Sequence, residues 1–277
     1  MTVPPTIKGV ILCADDFAIH ASASEGIADL ATQGRLSATS VMVLSPRWAQ
    51  DVALLRPLRG QVDVGLHLDW TSDFALAAGH GLPLKAAMLK ALLGGFNPAA
   101  ARTVIDRQLD AFEAHWQAPP DFVDGHQHVQ QFAGIRQALV QALSSRYGSL
   151  SAKPYLRVSR PAPGMADLKS RIIAAMGANA IEKIAGQAHL ACSKSLLGIY
   201  DFSGPPARYA QLMKGWLQGP PTGSLIMCHP ARQAEAGDAI GQARAQEYAY
   251  LRSPQFADAL AEAGVQLVRG ADSLRAH

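Results

Sequence analysis

Short apolar runs recur along this chain, and several stop abruptly at carboxylates or imidazoles. Residues 10–14 lead into Asp15 and Asp16, 62–68 carries His67, 122–125 leads into His126 and His128, and 223–228 ends at His229. Apolar runs of this length bounded by turn residues read as buried strands. Further strands are predicted at 38–44, 155–158, 197–200 and 265–268. Between them, apolar positions at helical spacing predict helices at 21–33, 48–58, 99–116, 135–145, 166–176, 180–192, 207–217 and 253–263. Gly34 and the pair Pro119, Pro120 are the clearest stops. Only 70–98 breaks the rhythm. It is rich in Gly, Ala and Leu, and predicts a long loop with a short helix at 85–93, an insertion suited to walling a substrate site.

Strand–helix alternation from the first run onward predicts a parallel sheet with helices packed outside it. Seven or eight such units, without a second rhythm, predict an α/β fold, namely a single distorted TIM-like (β/α) barrel with seven or eight parallel strands occupying 1–277 as one domain. No Gly-x-Gly-x-x-Gly or Walker motif follows a strand, which argues against dinucleotide and nucleoside triphosphate ligands.

Composition narrows the classes further. With 49% hydrophobic and 17% charged residues the chain is globular. The net charge of +3 comes from scattered Lys and Arg with no basic block, so nucleic acid is not an expected partner. Cys13, Cys192 and Cys228 are far apart and odd in number, which argues against a disulfide framework and for a reducing compartment. Residues 1–8 carry no signal segment, and no apolar run is long enough to span a bilayer, so a cytoplasmic location is expected. The Ala- and Leu-rich late helices would fit a homodimer face as well as internal packing.

In a barrel, functional residues collect where strands end. Asp15, Asp16, His67, His126, His128, Arg157 and His229 all lie at such ends. Two adjacent carboxylates stay ionised together only beside a cation, so one is expected to bind a metal and the other to act as a base. Gly65 permits close backbone approach next to His67. His126 and His128 alternate, so on an extended backbone they would face the same side, binding one metal together or metal and substrate separately. Asp124 is placed to hold a ring N–H behind a ligand. Arg157 is placed to bind a carboxylate and keep Asp15 ionised. His229, forced extended by Pro230, suits a general acid. Trp70 and Phe132 are candidates for stacking on a substrate ring. His20, His80, His115, His189 and His277 lack such contexts and read as structural or solvated. One Asp and two His form a three-ligand site with open positions, suited to Zn²⁺, while the carboxylate also admits Mg²⁺ or Mn²⁺. No serine stands as a nucleophile, so an activated water is the expected attacking group.

Ala14-Asp15-Asp16-Phe17, Gly65-Leu66-His67-Leu68, Asp124-Gly125-His126-Gln127-His128, Leu156-Arg157 and Met227-Cys228-His229-Pro230 together resemble the YdjC-like carbohydrate deacetylases, a family that includes chitooligosaccharide deacetylases and hopanoid-biosynthesis-associated proteins. The resemblance covers most of the chain. It implies a distorted (β/α) barrel that removes acetyl groups from N-acetylated sugars with one divalent metal, Zn²⁺ or Mg²⁺. It further implies Asp16, His67 and His126 as metal ligands, Asp15 as general base and His229 as acid. His128, Trp70 and Asp124 are the expected substrate-side residues. Two positions depart from the family pattern. Ala18 stands where Gly is usual, which would strain the alanine if φ is positive there, and Gln130 stands where another His is common. The competing classes are a metal-dependent phosphoesterase, a sugar isomerase, which would bring additional Glu and Lys to the strand ends, and a non-catalytic sugar-binding protein.

Overall fold

The structure, a computed structural model, describes residues 8–274. The readings of the segment before Lys8 and of His277 lie outside these residues. Eight strands are formed, β1 (Lys8–Phe17), β2 (Ala38–Val41), β3 (Asp63–Leu68), β4 (Phe122–Gly125), β5 (Tyr155–Leu156), β6 (Leu196–Leu197), β7 (Leu225–Cys228) and β8 (Val265–Leu267). Every pairing is parallel, in the order β5-β4-β3-β2-β1-β7-β6. β8 pairs with the first residues of β1, from Lys8 to Val10, below the point where β7 takes over at Ile11. The sheet curls into a half-barrel, consistent with a distorted TIM-like barrel. Its two edges approach through a bridge between Leu156 and Cys192 and a hydrogen bond from the Leu196 amide to the Arg160 carbonyl.

Ile11, Leu12, Val64, Leu66, Val123 and Ile226 are fully buried, as strands covered on both faces must be. The covering helices are α1 (Ala21–Thr32), α2 (Trp48–Leu55), α3 (Asp73–Ala77), α4 (Leu84–Leu92), α5 (Pro98–Trp116), α6 (Ile135–Tyr147), α7 (Leu168–Ala175), α8 (Ala178–Gln187), α9 (Pro206–Leu217), α10 (Gly241–Arg252), α11 (Pro254–Ala263) and α12 (Gly270–Ser273). The Asn97 side chain caps α5 by accepting from the Ala100 amide, and Pro98 opens it. The insertion at 70–98 folds into α3 and α4 rather than one short helix.

Three differences from the sequence reading have physical causes. β1 runs on past Ala14 through a register shift and reaches Phe17, so the paired carboxylates sit within an irregular strand end. β6 is displaced to Leu196–Leu197, because Gly198 (φ +91) passes so close to the Met227 carbonyl that a Cβ would lie 2.1 Å from it. Helix α10 is an addition. Its buried face interrupts Ala243, Tyr250 and Leu251 with Arg244 and Glu247, so hydrophobic periodicity does not reveal it. Cys13, Cys192 and Cys228 are free thiols. No helix among the described residues is long and apolar enough to cross a membrane.

Gly65 owes its identity to the ring of Phe122, which would lie 2.5 Å from an added Cβ. That ring stacks on Tyr155 at 5.1 Å and has little room to turn away. Gly65→Ala should therefore lower stability by about 1–3 kcal/mol through overpacking. Urea unfolding followed by circular dichroism checks this, and an unchanged midpoint would contradict it.

Candidate active site

The ends of β1, β3, β4 and β7 open into one cavity of about 1170 Å³. Asp15, Asp16, His67, His126, His128, Arg157 and His229 all line it. One wall comes from the 70–98 insertion, through Phe74, Leu84 and Met88.

Asp16 sits at the centre. Its backbone is left-handed, with φ +66, because the chain turns sharply off the strand. Its Oδ1 lies 3.3 Å from His67 Nε2 and 3.1 Å from His126 Nδ1. Its Oδ2 accepts from Arg244 Nη2 at 2.7 Å. Burial would raise the Asp16 carboxyl, but Arg244 and His126 outweigh it and hold the group well below the usual range. Atoms of Asp16, His67 and His126 able to bind a metal all lie within 4.8 Å of one another.

This trio fits a divalent cation on the evidence of the His67 tautomer. His67 Nδ1 is 2.6 Å from Asp124 Oδ1, so the ring proton belongs there. The lone pair of Nε2 then faces the Asp16 carboxylate oxygen, and two acceptors at that distance repel unless a proton or a metal lies between them. Burial pushes the imidazole down, but Asp124, Asp16 and Asp15 more than compensate and raise it to about 10. The pocket between these residues is thus built to hold positive charge, and the carboxylate-backed imidazole is the usual arrangement behind a metal-binding histidine.

A second grouping of Cys13, Asp15 and Asp124 already has its cation. Arg157, fully buried, places Nη1 2.7 Å from Asp15 Oδ1, 2.8 Å from Asp15 Oδ2 and 2.8 Å from Asp124 Oδ2. One nitrogen reaches both oxygens of Asp15, so the contact is not the two-pronged fork. Burial opposes ionisation of Asp15, but the guanidinium dominates and holds it well below the usual carboxylate range.

His229 presents Nε2 3.9 Å from Asp15 Oδ2, and burial pushes its ring down to about 4, so it is neutral near pH 7. Its backbone N–H donates to Glu247 Oε2, and its carbonyl accepts from Arg244 Nη1 at 3.4 Å. Burial raises Glu247 to about 7. His128 is also kept neutral, by burial and by Arg157. Gln130 Nε2 donates to the Arg157 carbonyl and to Ser159 Oγ, which leaves the Ser159 proton for His128 Nδ1 at 3.1 Å. In the tautomer that accepts from Ser159 at Nδ1, His128 carries its ring hydrogen on Nε2 as a donor.

Three expectations need correction. Trp70 does not face the cavity. It is 2% exposed and packs edge-on against Phe96 and His80, because the insertion folds back over it. Asp124 is fully buried behind His67 and Arg157 and offers nothing to a substrate. His126 and His128 are not on an extended backbone. Gln127 and His128 have φ +52 and +64, and the tight turn sends His126 to Asp16 and His128 to Ser159. His20, read as structural or solvated, caps α1 and also lines the cavity, with Nε2 3.3 Å from Asp238. Ala18 has φ +73, the strained conformation that the missing glycine foreshadowed. Arg244 and Glu247 had no signal in the sequence, since the buried face that carries them mixes charged residues with Ala243, Tyr250 and Leu251. Ser40, whose Oγ lies 3.0 Å from His67 Nδ1, was likewise indistinguishable from any strand serine.

Comparison with known proteins bears on the family and the fold. The model of the YdjC-like protein family matches residues 9–262. A proposed cellobiose-phosphate cleavage protein from Enterococcus faecalis superposes with a TM-score of 0.70 at 19% identity, covering 96% of this chain and 99% of that one. The Xyl-CE4 domain of a multidomain xylanase, from the hindgut metagenome of Trinervitermes trinervoides, superposes with a TM-score of 0.52 at 10% identity, covering 96% and 89%. At these identities the structural likeness concerns the fold. No curated protein matches the chain.

If the trio holds the cation, chelator-treated protein should take up one Zn²⁺ per chain in a calorimetric titration. Asp124→Asn should weaken that uptake by about 10–100-fold, the usual cost of losing a carboxylate behind a metal-bound imidazole. Unchanged affinity in Asp124→Asn would contradict the assignment.

Proposed function

Since this chain belongs to the YdjC-like family, we propose that it is a metal-dependent carbohydrate N-deacetylase, hydrolysing the acetamide of an N-acetylated sugar. The observation that carries the reading is the meeting, in one cavity, of the Asp16–His67–His126 cradle with an ionised Asp15 and a neutral His229. The motif resemblance supports the substrate class, and the donor set supports the cofactor. A divalent cation, Zn²⁺ or Mg²⁺, bound by Asp16, His67 and His126 would polarise the acetyl carbonyl and acidify a water.

The remaining chemistry falls to the chain's own residues. Asp15, kept as a carboxylate by Arg157, takes a proton from the attacking water as its oxygen bonds to the carbonyl carbon. The C–N bond then breaks, and His229 Nε2 delivers a proton to the departing nitrogen. Its 3.9 Å separation from Asp15 Oδ2 is a short path by which the proton removed from water can reach it. Acetate and a free amino sugar result. His128 suits a substrate oxygen, and Phe74, Phe132 and Phe202 supply the aromatic lining available to a sugar ring.

Acetate release from N-acetylglucosamine oligosaccharides, with and without chelator, tests the reading. Asp15→Asn and His229→Ala should each lower kcat by about 10²–10⁴-fold, the usual worth of one general acid or base, while retaining bound metal. Full turnover in Asp15→Asn would remove the base assignment. Metal uptake without acetate release from any acetylated sugar would overturn the deacetylase reading in favour of another hydrolytic reaction.

A further inference from the structure

His229 lacks the support that usually orients a catalytic imidazole. In acid–base pairs a carboxylate commonly accepts from the second ring nitrogen and fixes both tautomer and direction. Here Nδ1 of His229 is buried and has no hydrogen-bond partner among the described residues. The carboxylate that hydrogen-bonds to this residue does so through the backbone. Glu247, fully buried on α10, places Oε2 on the His229 backbone amide and Oε1 2.6 Å from the Tyr200 hydroxyl. Tyr200 packs on Phe202 with ring centroids 4.6 Å apart, and Phe202 meets the His229 ring edge-on at 5.1 Å and 84°. Glu247 thus reaches His229 by two routes. One holds the peptide, and the other holds the aromatic wall against which the ring lies.

A buried carboxylate is costly to retain unless its hydrogen bonds compensate for the lost solvation. The Glu247 bonds converge on His229 and its aromatic support, which ties the residue to the site and not to general packing. Resting on the deacetylase reading above, we propose that Glu247 is a positioning residue for the general acid, setting the direction of His229 through its peptide and through Tyr200 and Phe202. It does not line the cavity, and its hydrogen bonds go to Tyr200 and His229 and not to Asp16, His67 or His126. Its effect should therefore appear only where the leaving group needs a proton. A displacement of about 1 Å in a catalytic group can cost about 10²-fold, which sets the scale.

The test compares two substrates on the metal-loaded protein, N-acetylglucosamine oligosaccharide and p-nitrophenyl acetate, whose phenolate departs without an acid. Glu247→Ala should lower kcat on the amide by about 10²-fold with KM little changed, and leave the ester rate within about twofold. Glu247→Gln, which can still accept from the His229 amide while donating to Tyr200, should recover most of the amide rate. A parallel fall on both substrates, or no fall on the amide, would overturn the proposal. Should Glu247→Ala not fold, Glu247→Asp, which withdraws the carboxylate by one methylene, is read by the same two ratios. A wild-type protein that releases acetate from neither substrate sinks the deacetylase reading itself, a result distinct from an active wild type whose Glu247 variants lose both rates together.

Discussion

Three carboxylates, Asp15, Asp16 and Asp124, are buried within one strand-end cluster, and the need to neutralise them organises the site. Isolated buried charges are too costly to persist, so each must find a counter-charge or take up a proton. Arg157 answers Asp15 and Asp124 with a single nitrogen, and Arg244 answers the outer oxygen of Asp16. Arg244 is shared with Asp238 as well, so the two guanidinium groups do not cancel the cluster's negative charge. That charge is focused between Asp16 and two imidazoles, where only a proton or a cation can meet it. On the proposed reading, metal binding and the separation of a base from a ligand within one Asp-Asp pair are two results of the same electrostatic constraint.

The fold supplies that constraint through parallel strands whose ends share one mouth. β1 brings both acids, β3 brings His67, β4 leads into the turn with His126, and β7 ends at His229. The end of β1 is strained, with Asp16 and Ala18 both at positive φ, a conformation costing non-glycine residues roughly 1–2 kcal/mol each. It persists because its surroundings over-determine it. The Ala18 amide donates to Ser24 Oγ, which in turn donates to the buried Asp51. Strain of this kind tends to gather where a side chain must be aimed.

What could be read in the sequence follows from which interactions are local. The strands and most helices were legible because their buried faces are apolar and periodic. The meeting of the candidate residues in one cavity was legible because they end those strands and match a family's ordered motifs. Helix α10 was hidden since it buries Arg244 and Glu247, and hydrophobic patterning does not register a charged inner face. The turn at 126–128 was misjudged as extended because nothing in a His-Gln-His triplet announces two successive left-handed residues. Trp70 was placed at the mouth on sequence proximity alone. Its burial depends on how 70–98 folds over it, a tertiary outcome that local pattern does not carry.

The most direct measurement is anomalous diffraction at the zinc edge from crystals of the metal-loaded protein. The account predicts one strong peak within coordination distance of Asp16 Oδ1, His67 Nε2 and His126 Nδ1, with Arg157 still holding Asp15 outside the coordination sphere. A peak on Asp15 and Asp124 with the guanidinium displaced, or no ordered metal among these three ligands at saturating zinc, would contradict it.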